Sequence, residues 1–242
     1  MGGPWEARRR SAEAVEGTGT EGSSDTLKRS RMHRPTRASM GLRERFKPRI
    51  QDWAMAFMDE LRPETVGGAE GNVLEVGFGT ARNLEHYGKG VERVTGLDPM
   101  RTAGVPAVEE RIARAAFPVE RTVLRADGAL PFDSARFDCV ITTWTLCSIP
   151  DPSAALAEMR RVLKTGGRYL FIEHGRSSRP STMRWQDRVN PFWRRLMDGC
   201  NINRPIDQLV ERAGFSLASL DRFQHKGPPI LAHMYRGVAI RA

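Results

Sequence analysis

The residues able to do chemistry in this 242-residue chain gather around short apolar segments. Glu75-Val76-Gly77-Phe78-Gly79-Thr80-Ala81 packs a carboxylate, two glycines and a hydroxyl into seven positions. Glycines there let the backbone turn tightly and let a ligand approach the main chain. Asp98 follows Gly77 by 21 residues, a spacing that suits a carboxylate accepting hydrogen bonds from ribose hydroxyls. A nucleoside-bearing ligand at this turn is favoured over a plain crossover. Farther along, Glu173 and His174 are adjacent, so a proton acceptor is available there. Asp198 and Cys200 are further candidates to take a proton or orient an acceptor. Cys147 reads as a small packed side chain. Three cysteines are too few for a disulfide framework or a four-ligand zinc site, and no resident metal is expected.

The elements that must hold these groups follow from hydrophobic patterning. Trp53, Ala54, Ala56, Phe57 and Leu61 share one helical face, with Pro63 as its stop. Apolar runs at 73–76, 94–97, 122–124, 137–143 and 169–172 predict five strands. Between them come a helix through Leu84, one over 108–116, and one begun by Asp151-Pro152 and capped by Gly166-Gly167. Strand–helix alternation predicts a parallel, doubly wound sheet. Residues 216–220 and 234–240 add two strands that close one edge antiparallel. The fold class is therefore α/β: a Rossmann-like, doubly wound, mostly parallel seven-stranded sheet with helices on both faces. Residues 176–204 form a helical lid insertion, in which Trp185, Val189, Phe192 or Trp193, and Leu196 share a face among arginines. Pro205 then begins a last helix, closed by Gly214. Residues 1–38 carry no apolar period and read as a disordered basic tail, leaving one domain over 39–242.

Leu74-Glu75-Val76-Gly77-Phe78-Gly79-Thr80 resembles the first motif of class I S-adenosylmethionine (SAM)-dependent methyltransferases, an acidic residue followed by Gly-x-Gly-x-Gly. Ala81 stands where that family has its third glycine. A carboxylate at Glu75 suits SAM, which is cationic and has no phosphate. The resemblance runs on through Ala126-Asp127-Gly128, Leu130-Pro131-Phe132 and Phe137-Asp138 to the Arg161–Gly167 turn, where Thr165 replaces the usual proline. It covers about residues 70–175. It implies SAM as cofactor, held by Glu75, Gly77, Gly79, Thr80, Asp98, Pro99, Asp127, Gly128 and Thr143, with Asp127 on the adenine amino group. Thr142-Thr143-Trp144 would line the methionine end.

A narrower resemblance lies in Thr145-Leu146-Cys147-Ser148-Ile149, Ile172-Glu173-His174 and Leu196-Met197-Asp198-Gly199-Cys200-Asn201. It points to the methyltransferase type 11-like, small-molecule branch that includes alkyl-thiol methyltransferases and bacterial relatives. That implies in-line methyl transfer to a small, apolar acceptor, with His174, Asp198 and Glu173 as catalytic candidates. A thiol is favoured; phenol, quinone and lipid-amine acceptors stay open. Binding of SAM without catalysis, and nucleic-acid binding through the basic tail and the Arg-rich insertion, are distant alternatives.

The formal charge is +9, but residues 1–50 hold 12 Lys and Arg against 6 Asp and Glu, so +6 of the excess sits there. The remainder is only mildly basic. After the fourth strand stands Thr142-Thr143-Trp144-Thr145, not the [Asp/Asn/Ser]-Pro-Pro-[Tyr/Phe] box of nucleobase amino-methyltransferases. A nucleic-acid partner is therefore not expected. No apolar run reaches the ~18 residues of a bilayer span and nothing resembles a secretory signal, so a cytoplasmic location with at most weak peripheral membrane contact is expected.

Overall fold

The computed structural model describes residues 52, 55–98, 102, 104–123, 129–197 and 199–242. The tail 1–38, Trp53, Ala54, Pro99, Leu124, Asp127, Gly128 and Asp198 lie outside the described residues.

Seven strands make one sheet: β1 Gly71–Val76, β2 Val91–Asp98, β3 Val119–Val123, β4 Phe137–Thr143, β5 Leu163–His174, β6 Phe215–Gln224 and β7 His233–Arg241. Their order is β3-β2-β1-β4-β5-β7-β6. All neighbours pair parallel except β7, which runs antiparallel to both β5 and β6. Winding reverses between β1 and β4, and in such sheets ligands collect outside the carboxyl ends of the strands at that point.

The central strands are apolar on both faces because both faces are covered. Leu74, Val140, Tyr169 and Phe171 point into one core cluster. Helices α3 (Pro152–Val162) and α5 (Ile206–Arg212) join it through Leu156, Met159, Val162, Ile206 and Val210. Val73, Cys139, Ile141 and Leu170 alternate to the other side, where α1 (Arg62–Val66) and α2 (Pro106–Arg114) bring Val66 and Val108. Asp151 caps α3: its Oδ1 accepts from the N–H groups of Ser153 (3.1 Å) and Ala154 (3.0 Å).

Several elements differ from the sequence expectation. Pro63 does not stop a helix. It sits in the first turn of α1, where a missing N–H costs nothing, behind a 3-10 segment Ala56–Leu61. In that segment Met58 is buried and Phe57 exposed. The segment after the Gly-rich turn is a five-residue 3-10 helix, Arg82–His86, entered through Ala81 in the left-handed region. Helix α2 starts two residues early, since Pro106 suits a first helical position. Gly166-Gly167 is no helix cap. Helix α3 ends at Val162, and β5 runs straight through the glycines with a register shift against β4.

The insertion is α4, Pro180–Leu196. Its seat is polar. Buried Gln186 accepts from Ser177 N (2.9 Å) and donates to the carbonyls of Gly175 (3.1 Å), Ile202 (2.8 Å) and Ile230 (3.1 Å). Asn190 adds bonds to Asn201 and Ile202. The expected apolar face points outward instead: Trp185, Phe192 and Leu196 are 58%, 72% and 78% exposed. No helix among the described residues is long and apolar enough to cross a membrane.

Candidate functional site

At the carboxyl end of β1 the chain turns through three left-handed residues, Gly77 (φ +85°), Gly79 (φ +51°) and Ala81 (φ +65°). A Cβ on Gly77 would lie 1.9 Å from Thr145 Oγ1, so only glycine fits. Ala81 carries left-handed strain of about 1 kcal/mol where the resembling family has glycine. The Gly77 and Phe78 N–H groups donate to Leu97 O, at 2.8 and 3.2 Å. Gly79 N–H donates to Asp98 Oδ2 at 2.7 Å. The turn and the end of β2 are thereby sewn together, which sets the Asp98 carboxylate against the Gly-rich turn. Behind the turn, Thr80 O accepts from Arg111 (2.8 Å). Asp52 joins Arg111 and Arg82, both at 2.8 Å. Burial opposes its charge, but these partners and Thr80 hold the Asp52 carboxyl down at about 2.

Glu75 is buried beneath the turn. Its oxygens accept from Asn83 Nδ2 (2.8 Å) and Tyr87 OH (2.7 Å). Asn83 also donates to Thr143 Oγ1 (3.1 Å) and accepts from Arg62 (2.6 Å). Burial pushes the Glu75 carboxyl up to about 7, against those hydrogen bonds and the Arg62 charge. Trp144 follows β4 with φ +50°, buried, with the Arg62 guanidinium 5.0 Å from its ring. A bulky residue held in that region signals strain stored at a site.

At the end of β5, Glu173 is fully buried and accepts from the N–H groups of Thr145 (3.1 Å), Leu146 (2.9 Å) and Cys147 (3.2 Å). Burial raises its carboxyl above the usual range in spite of those donors. Its geometry is that of a clamp on the 145–147 turn. His174 is the next residue, half-buried, with Nδ1 3.8 Å from Cys200 Sγ, which is itself 3.8 Å from Cys147 Sγ. The Cys147 thiol and His174 beside it favour the Cys200 thiolate, while Cys147 is pushed up. Arg204 donates to Leu146 O and turns its charge toward Glu173 and both cysteines.

The structure thus brings Gly77, Gly79 and Asp98 into contact and backs them with Thr80. Asn83 links Glu75 to Thr143, and Glu173 and His174 stand at the end of β5. Sequence reasoning missed Arg62, Asn83, Tyr87, Gln186 and Arg204, whose roles appear only when distant segments meet. Cys147 belongs to the same cluster as His174 and Cys200; residues 53 apart leave no local signal.

A family model for the methyltransferase domain matches residues 74–171. Thiol S-methyltransferase TMT1A of Homo sapiens is 34% identical over 156 residues, 63% of each chain. Thiol S-methyltransferase TMT1B of Homo sapiens is 33% identical over 174 residues, 67% of each chain. The matches therefore span about two thirds of those relatives' length. A solved SAM-dependent methyltransferase from Methanosarcina mazei superposes with TM-score 0.55 at 19% identity, covering 70% of this chain and 92% of that one.

Proposed function

We propose, from the premise that the chain belongs to the class I SAM-dependent methyltransferases, that it methylates a small, apolar thiol. The observation that carries the cofactor half is the Asp98 carboxylate, fixed 2.7 Å from the Gly79 N–H beside a glycine whose Cβ would collide with Thr145. At Gly79 a Cβ would meet nothing nearer than Gly77 O at 3.8 Å, so there is room beside that carboxylate for a ribose and its methionine arm. The thiol half is supported by similarity to the human thiol S-methyltransferases.

Bound SAM supplies an electrophilic methyl group on a sulfonium. The chain's own residues do the rest. Asp98 accepts from ribose hydroxyls. Gly77 and Gly79 admit the ligand to the backbone. The Glu75–Asn83–Thr143 chain fixes the floor beneath it. Glu173 holds the 145–147 turn so that acceptor and methyl are kept about 3–3.5 Å apart. His174 stands at the acceptor side, where it orients the sulfur. A thiol with pKa near 8.5 needs little help to ionise near neutral pH, so no strong base is required. A second reading, a lipid-borne amine or quinone acceptor, is favoured by one observation: exposed Trp185, Phe192 and Leu196 among Arg184, Arg188 and Arg195 on α4.

Calorimetry with SAM, together with labelled methyl transfer to an alkanethiol, a phenol, a lipid amine and a quinol, tests both halves. Asp98→Ala should weaken SAM by about 10- to 100-fold, the worth of a charged hydrogen bond. Unchanged affinity removes the cofactor site. Turnover of the amine, phenol or quinol but not the thiol removes the acceptor.

A further inference from the structure

Cys147, His174 and Cys200 come from three elements: the turn after β4, the end of β5 and the segment after α4. Their ligand atoms all lie within 4.8 Å of one another. Two of the distances are 3.8 Å, Cys147 Sγ to Cys200 Sγ and Cys200 Sγ to His174 Nδ1. Those two match edges of a coordination tetrahedron, and the third, Cys147 Sγ to His174 Nδ1, lies within 4.8 Å and closes up around an ion. With metal–sulfur bonds of about 2.3 Å and metal–nitrogen bonds of about 2.0–2.1 Å, tetrahedral angles give S···S near 3.8 Å and S···N near 3.6 Å.

We propose that Cys147, His174 and Cys200 bind a thiophilic divalent cation, zinc by preference, leaving a fourth position for the acceptor sulfur. Two thiolates and one imidazole are soft-to-borderline donors that select zinc over magnesium or calcium. The scaffold is preformed. Asn201 N and Nδ2 both donate to Cys147 O, at 2.9 and 3.0 Å, so the two cysteine-bearing segments are stitched side by side. Glu173 holds the Cys147 N–H from the other side. A dication and the Arg204 guanidinium offset the two thiolates and the Glu173 carboxylate, leaving the site at about −1 once an acceptor thiolate joins it. Cys147 is buried, whereas His174 and Cys200 are only partly buried, so solvent reaches the cluster from their side.

The inference rests on the thiol reading only for what occupies the fourth position. There the acceptor's S–H bond breaks, a metal–sulfur bond forms, and the proton leaves to solvent. The acceptor is thereby ionised and aimed together. His174 then acts as ligand through Nδ1 and not as proton acceptor.

The test uses the full chain, reduced and stripped by a chelator, then titrated with Zn²⁺ and with Co²⁺. About one equivalent of zinc should bind. Cobalt should give a thiolate charge-transfer band in the near ultraviolet and the strong visible bands of a tetrahedral site. Cys200→Ser and His174→Ala should each weaken binding about 100-fold or more and abolish the charge-transfer or shift it, while SAM affinity in calorimetry stays at the wild-type value. Cys200 is only partly buried, so Cys200→Ser keeps the test open if Cys147→Ser does not fold. Adding an alkanethiol to the cobalt form should shift the charge-transfer band. No binding, or cobalt spectra unchanged in Cys200→Ser, overturns the site. A cobalt site that ignores the alkanethiol overturns the fourth-position assignment. Metal binding without thiol turnover removes the thiol reading and leaves the site standing, and chelator-insensitive thiol turnover by metal-free protein does the reverse.

Discussion

Replacing Glu75 with glutamine isolates the cost of burying one carboxylate under the cofactor turn. The side chain keeps its shape: its oxygen still accepts from Asn83, and the new amide can donate to Tyr87 OH. Arg62 is not orphaned, because Asp59 still accepts from its Nε at 2.8 Å. Only the charge goes. In the folded chain the carboxyl titrates at about 7, against an ordinary 4.5. The raised folded value means the native state holds the proton more tightly than the unfolded chain. Below about pH 4.5 both states are protonated and there is no cost. As pH rises to about 7 and beyond, folding must bury the ionised form, and stability is lost. At 1.36 kcal/mol per pKa unit the full loss is about 3 kcal/mol. Between pH 5 and pH 8 the share realised is about 2.5 kcal/mol. Urea unfolding of wild type and Glu75→Gln at both pH values reads it directly, because every other titrating group cancels in the difference. The variant should gain about 2.5 kcal/mol on wild type from pH 5 to pH 8. A stability gap that does not change with pH refutes the reasoning and makes Glu75 a carboxylate that titrates alike in the folded and unfolded chain.

Two further substitutions probe the turn and the lid. Gly77→Ala combines left-handed strain with a Cβ 1.9 Å from Thr145 Oγ1. It should lower stability by about 3 kcal/mol in thermal unfolding, partly restored by adding Thr145→Ala. Gln186→Ala strips partners from three buried carbonyls and one N–H. It should cost about 3 kcal/mol and be seen first as faster hydrogen exchange across Pro180–Leu196; unchanged exchange there would show that α4 is held by something else.

The sheet was largely readable because its central strands are buried on both faces. The β-branched run of β4 and the Asp151-Pro152 start of α3 each carry their own physics, and both stand as expected. Elements whose limits are set by neighbours were not. Gly166-Gly167 has the composition of a helix end, yet pairing with β4 and β7 carries β5 past it to His174. The placing of Asp98 at the end of the strand after the Gly-rich turn was legible from its spacing to Gly77; the hydrogen bond it accepts from Gly79 N–H was not. Glu173 stood out with His174 because both end a strand, and an anchoring role was open to it; that its two oxygens clamp three backbone N–H groups depends on a turn 26 to 28 residues away. The aromatic residues of α4 had the spacing of an inward face on an amphipathic lid. The helix is seated through Gln186 and Asn190 instead, a choice that polarity patterning alone does not reveal.

That polar seat has a thermodynamic consequence. None of the core clusters includes a residue of α4. Trp185, Phe192 and Leu196 already face outward, so lifting the helix exposes many amide and carbonyl groups and, of its large apolar side chains, only the partly buried faces of Met183, Val189 and Trp193. Opening of that kind carries a small heat-capacity change and a small denaturant dependence, because both scale with the apolar and total surface uncovered. The strands beneath answer to heat and urea in the ordinary way. The lid obeys a flatter law: its opening free energy runs more nearly in a straight line with temperature, where that of the whole fold bends into a dome.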